Sequence, residues 1–222
     1  MNNISCNQIS FQSRCPQIRE GQRVCSIINQ QLPHISDTKF RSAYYNLMDK
    51  RLDVKINLRY INWMRSMIDR IKEARDLYIN GVYGLHTNKP TRILNQLKFE
   101  RLGNCYENGK AAEIILKING QKHVRSASVN NGQMDHFVCV FNRDGSVFDG
   151  TIKNNQTIIV DPWLGKVDFA NNMFKVYENM CGKLLKVPSG GKFTLTNVED
   201  IKISDNDINI LKQYFPNLFY KK

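Results

Sequence analysis

An α+β fold, helices first and an antiparallel sheet afterwards, is what this sequence predicts. Three observations carry that prediction. Apolar residues recur at helical spacing up to residue 118, then at a spacing of two from residue 124, and the later runs are separated by turn signals such as Asn130-Asn131-Gly132 and Asp144-Gly145. At 222 residues, with 41% hydrophobic and 23% charged, the chain is long and apolar enough for a real core, which excludes wholesale disorder, collagen and coiled-coil classes.

Residues 1–35 show no sustained periodicity, are rich in Ser, Asn and Gln, and are punctuated by Pro16 and Pro33. They read as a flexible polar leader, either a secretion signal of a nonclassical kind or an ordinary frayed terminus. Residues 36–87 read as a helical extension. Ser36 caps a helix through Phe40, Tyr44, Leu47 and Met48. A second helix, over residues 57–80, carries Leu58, Ile61, Met64, Ile68, Ile71 and Tyr78 on one face, and Gly81 ends it.

Residues 88–222 read as the core domain. A helix over 91–99 has Pro90 at its first turn, and a second opens at Gly103-Asn104, runs over 105–118 and stops at Asn119-Gly120. Ala111, Ala112, Ile115 and Leu116 suit it to packing against a sheet. Strands follow over 124–129, 137–141 and 157–160, the second and third forming a hairpin. Residues 183–187 and 192–197 add strands around Pro188-Ser189-Gly190-Gly191, and Ser204 followed by Asp207 caps a last helix reaching Tyr214.

Lys and Arg total 32 against 20 Asp and Glu, a net charge of +12, so anionic partners suit the chain. Arg59, Arg65, Arg70, Lys72 and Arg75, with Tyr60 and Trp63 among them, make either a solvated helix face, a surface for phosphate backbones or anionic membranes, or a dock for a protein substrate. Asp69, Glu73 and Asp76 interrupt that stripe, and no zinc finger, RNP motif, Walker loop or GxGxxG fingerprint is present. Nucleic-acid binding is therefore the main non-enzymatic alternative. The cysteines, at 6, 15, 25, 105, 139 and 181, form no CxxC pair, which favours a reducing final compartment and gives no reason to expect a metal or other cofactor. No apolar run reaches the roughly 18 residues a membrane span needs, and no basic-then-apolar signal peptide opens the chain.

Three features carry chemistry. Cys105, in the run Gly103-Asn104-Cys105-Tyr106-Glu107, stands where a loop becomes a helix, exposed to unpaired amides and the positive end of the dipole. His136 heads the apolar strand Phe137-Val138-Cys139-Val140, from which an imidazole can reach a packed helix. Asp161 ends the strand Ile158-Ile159-Val160 and is stopped by Pro162 and Trp163, so its carboxylate can hold one ring nitrogen of His136 and leave the other for sulfur. Each has a plain structural reading: a small buried cysteine, a packed histidine, an Asp-Pro turn. Their order as nucleophile, base and orienter, on elements able to hold them rigidly, favours function.

These blocks resemble the Cys, His and Asp blocks of papain-like cysteine hydrolases, over roughly residues 88–200. The separations of 31 residues from Cys105 to His136 and 25 from His136 to Asp161 are far shorter than in papain and cathepsins. They are similar to those of compact bacterial effector enzymes, which include cysteine proteases, glutamine deamidases and transglutaminase-like proteins delivered into host cells. The resemblance implies a nucleophile helix backed by an antiparallel sheet, a host or cellular protein as substrate, and secretion without a classical signal peptide into a reducing cytosol. Papain has a glutamine shortly before its cysteine as oxyanion donor. Here the position at comparable distance is near Phe99, and Asn104 or Gln96 is expected to assist the Cys105 backbone amide.

Asp135 adjoins His136, but neighbouring strand residues point to opposite faces, so Asp161 is the better orienter. Cys139 alternates with Phe137 and Phe141 and is expected in the core. Trp163 either lines the cleft or plugs the core, Glu107 complements the helix dipole, and His34, His86 and His123 are expected to be solvated.

Overall fold

The structure, a computed structural model, describes residues 15–32, 66, 69, 89–100, 103–132, 135–180 and 191–219. Apart from Ser66 and Asp69, which are helical and exposed, the two helices expected over 36–80 with their basic stripe, the strand over 183–187, His34, His86, Cys6 and Cys181 lie outside the described residues.

The first element among the described residues is a helix, α1 (Pro16–Gln31), where the sequence suggested a flexible leader. That expectation is corrected. Pro16 occupies the first helical turn, where a missing N–H costs nothing, so it starts a helix instead of marking a loop. Ile18, Gly21, Val24, Cys25 and Ile28 form a narrow buried stripe between exposed polar residues. Burying Ile18, Val24 and Ile28 contributes about 1.5–3 kcal/mol each, enough to order a segment whose composition is polar. Helix α1 reaches the sheet through Gly21, where an added Cβ would lie 2.7 Å from Val167 and 2.9 Å from Val160.

Helix α2 (Pro90–Asn95) continues as a π-helical turn over Gln96–Glu100, shorter in its α-helical part than expected. Helix α3 (Cys105–Ile118) matches its expected span, capped by Asn104 and stopped at Asn119. Strand β1 is Arg125–Asn130, β2 is Asp135–Asn142 and β3 is Thr157–Asp161. The turn after Asp161 feeds β4 (Lys166–Phe169) and then α4 (Ala170–Met180), neither expected from the sequence. β5 is Thr194–Glu199, and α5 (Asp205–Tyr214) starts on a Ser204–Asp207 capping box. No helix among the described residues is long and apolar enough to cross a membrane.

The strands form one antiparallel sheet in the order β4-β3-β2-β1-β5, giving a mixed α+β architecture. The expected hairpin partners do pair, with Cys139 opposite Val160 and Asn142 opposite Thr157. Alternation along the strands supplies two apolar faces. Cys139, Phe141, Ile158 and Val160 pack with α1, α2 and α3, while Val138, Val140 and Ile159 pack with α4 residues Met173 and Tyr177. Cys139 is thus core, as its alternation predicts.

Helix α3 is fastened to the sheet by charge as well as apolar area. The buried Lys110 ammonium lies 2.8 Å from Glu199. The fully buried Glu113 accepts from the Ser126 hydroxyl, the Ile201 amide at 2.7 Å and Lys117 at 2.6 Å. Partnered in this way, buried charges hold a helix in one place, whereas unpaired ones would expel it.

Candidate active site

The site begins with helix α3 lying close against β2. Gly109 makes this approach possible: a Cβ there would stand 3.1 Å from the Val138 carbonyl carbon and 3.1 Å from the Phe137 ring. Cys105 lies one turn towards the N-terminus on the same helix face, since residues four apart align. Gly109 over Val138 therefore carries Cys105 towards the head of β2, where His136 stands.

The first amides of α3 have no carbonyl partner within the helix, and the side of the cap is closed by Glu107, whose carboxylate accepts from the Asn104 N–H at 2.8 Å. Asn104 itself presents its carbonyl to the Asn108 side chain at 2.7 Å. Cys105 is half-buried, while the other described thiols, Cys15, Cys25 and Cys139, are free and buried. Gln96 is buried in the π-helical turn.

His136 and Asp161 meet at 2.7 Å, Nε2 to Oδ2, at 4% and 0% exposure. Burial favours a neutral imidazole, but the charge and hydrogen bond of Asp161, with the hydrogen bond and charge of Cys105, outweigh it and push the His136 pKa up to about 10. With Nε2 committed to Asp161, the nitrogen left for Cys105 is Nδ1. The structure thus brings the three sequence-selected residues together, from α3, β2 and β3.

Asp161 carries the turn reading too. Its Oδ1 accepts the Leu164 N–H at 3.0 Å and Gly165, at φ +67°, donates to the Pro162 carbonyl, closing the β3–β4 hairpin. A structural turn and a carboxylate aimed at histidine are one arrangement here. The Trp163 ring, half-buried, lies 5.3 Å from the imidazole. His123 is exposed, as expected. The Asp135 side chain lies outside the described residues.

Sequence reasoning missed Tyr177. This fully buried residue of α4 donates its hydroxyl to Asp161 Oδ2 at 3.0 Å and sets its ring edge-on to His136 at 5.5 Å. The helical step of Ala170, Met173, Phe174, Tyr177 and Met180 was readable in the sequence. Its packing beside Asp161 was not, because β4 turns the chain back before α4 begins. No family model, curated protein or solved structure matches the chain.

Proposed function

We propose that the chain is a papain-like cysteine hydrolase acting on an amide bond of a protein, as a protease or glutamine deamidase of the compact effector type. The observation that carries this reading is the buried 2.7 Å His136–Asp161 pair facing a half-buried cysteine at a helix start. A carboxylate-held imidazole beside sulfur is the arrangement nucleophilic acyl transfer needs.

Cys105 gives its proton to His136, and the sulfur attacks the substrate carbonyl carbon. The oxyanion forms beside the Cys105 backbone N–H, with Asn104 or Gln96 as side-chain donors. The imidazolium returns the proton to the departing nitrogen as the C–N bond breaks, leaving a thioester. Water, deprotonated by His136, then attacks the thioester and releases the acid with the thiol restored. Asp161 keeps Nε2–H fixed throughout, so Nδ1 faces the reaction.

A main-chain amide gives proteolysis and a glutamine side chain gives deamidation, whereas an amine in place of water gives transglutaminase-like transfer. Mass spectrometry of candidate target proteins after incubation with the chain separates these, since a cut backbone, the small mass gain of deamidation and an added amine are distinct. Turnover that persists in Cys105→Ala overturns the mechanism.

A further inference from the structure

We infer that Tyr177 is the positioning residue of this site: its hydroxyl shares Asp161 Oδ2 with His136 and so fixes both the carboxylate and the imidazole. The inference rests on the catalytic reading of Cys105, His136 and Asp161, and deepens it.

The carboxylate is held at three points. Leu164 N–H occupies Oδ1 at 3.0 Å, and Oδ2 takes the Tyr177 hydroxyl at 3.0 Å together with His136 Nε2 at 2.7 Å. Three donors from the turn, from α4 and from β2 leave Asp161 one orientation. The imidazole is in turn confined by two rings, Tyr177 at 5.5 Å and Trp163 at 5.3 Å, tilted 66° and 59° to it. A phenylalanine at 177 would supply the same ring and the same apolar burial. The hydroxyl adds a donor aimed at the oxygen the base depends on, in a place where burying a polar group without a partner is costly.

The hydroxyl also divides the acceptor strength of Oδ2. Two donors on one oxygen each receive a weaker bond than either alone, so Tyr177 keeps Asp161 from gripping the imidazolium too tightly. The ionisable groups facing His136 are Asp161 from β3, Cys105 from α3 and, through Asp161, Tyr177 from α4 and Cys25 from α1. Burial and the nearby Asp161 push the Cys25 and Tyr177 protons towards retention, so both stay neutral, whereas His136 is the group whose proton Asp161 holds.

Tyr177→Phe removes one atom and tests this. In proton NMR of the full chain, the His136 Nε2–H resonance is expected to move further downfield in the variant, because its bond to Asp161 strengthens. The His136-linked inflection in the pH profile for iodoacetamide alkylation of Cys105 is expected to move to higher pH in the variant, because a stronger bond to Asp161 favours the imidazolium. Adding Tyr177→Phe to Asp161→Ala should leave the alkylation profile as Asp161→Ala alone leaves it, since a residue acting through the Asp161 oxygen has nothing further to lose once that oxygen is gone. An unmoved resonance, or effects that add in the double variant, overturn the inference. If His136→Ala leaves Cys105 alkylation unchanged, the catalytic reading fails instead, and the resonance still decides whether Tyr177 governs the His136–Asp161 pair.

Discussion

His136 and Asp161 are diagonal neighbours on one face of adjacent antiparallel strands. Cys139 pairs with Val160, so one further step sets Val138 opposite Asp161, and His136 stands two residues beyond on the same face. Diagonal pairs of this kind lie about 7–8 Å apart in the backbone, a gap two polar side chains close. Here they close it to 2.7 Å.

Among the described thiols, Cys105 should react fastest with iodoacetamide near neutral pH. It is half-buried at a helix start and faces His136, whereas Cys15, Cys25 and Cys139 are buried. Peptide mapping after brief labelling checks this. Cys105→Ala should abolish turnover and leave the circular dichroism spectrum unchanged, because triad members act as a unit.

Asp161→Ala should cost both rate and stability. It strips the acceptor from His136 Nε2, the Tyr177 hydroxyl and the Leu164 amide at once, and leaving buried donors unmatched costs about 3 kcal/mol. Asp161→Asn, whose amide oxygen still accepts, should keep part of the activity. Urea denaturation and initial rates on the two variants separate these outcomes.

Stability should fall as pH rises past neutrality. The folded His136 pKa, about 10, lies above the usual 6.5, so its contribution is whole below pH 6.5 and is lost as pH climbs through 10. A single proton sets the slope at no more than about 1.4 kcal/mol per pH unit. Denaturation midpoints from pH 6 to pH 10 should show that slope in the parent chain, and it should flatten in His136→Gln.

Gly109→Ala and Gly21→Ala should separate the site from the scaffold. A Cβ at 109 meets the Val138 backbone, which cannot yield, so α3 shifts and the Cys105 alkylation advantage is lost. At 21 the obstruction is the Val167 and Val160 side chains, near α1, so stability falls while Cys105 keeps its reactivity. Overpacking of this kind costs about 1–3 kcal/mol, readable by urea titration.

Ile28→Ala should destabilise the whole fold by about 2–5 kcal/mol, because Ile28 is fully buried on α1. A fall confined to a few tenths would return residues 16–31 to the status of a leader. Thermal melting of the full chain distinguishes the two.

Legibility in the sequence followed the range of the interaction. Helix α3 is written locally: Gly103 and Asn104 start it, apolar spacing sustains it and Asn119-Gly120 ends it, so its expected and observed spans agree. The first three strands were legible because two-residue alternation and turn residues are also local signals. Helix α1 was hidden because its stripe is narrow and its composition polar, and Pro16 has opposite meanings inside a loop and at a helix start. Strand β4 spans Lys166–Phe169 and declares itself only by pairing with β3.

By itself the sequence determined the α+β order, helix α3 and the choice of Cys105, His136 and Asp161 as candidates, since each sits at the end of an element whose own residues announce it. The tertiary structure decided the rest. Strand register brought Asp161 diagonally to His136, the Gly109 contact set the height of Cys105 over β2, and the return of the chain through β4 laid Tyr177 on Asp161. These are distances between residues far apart in the chain, fixed by packing that many sequences achieve in different ways, and no local pattern encodes them.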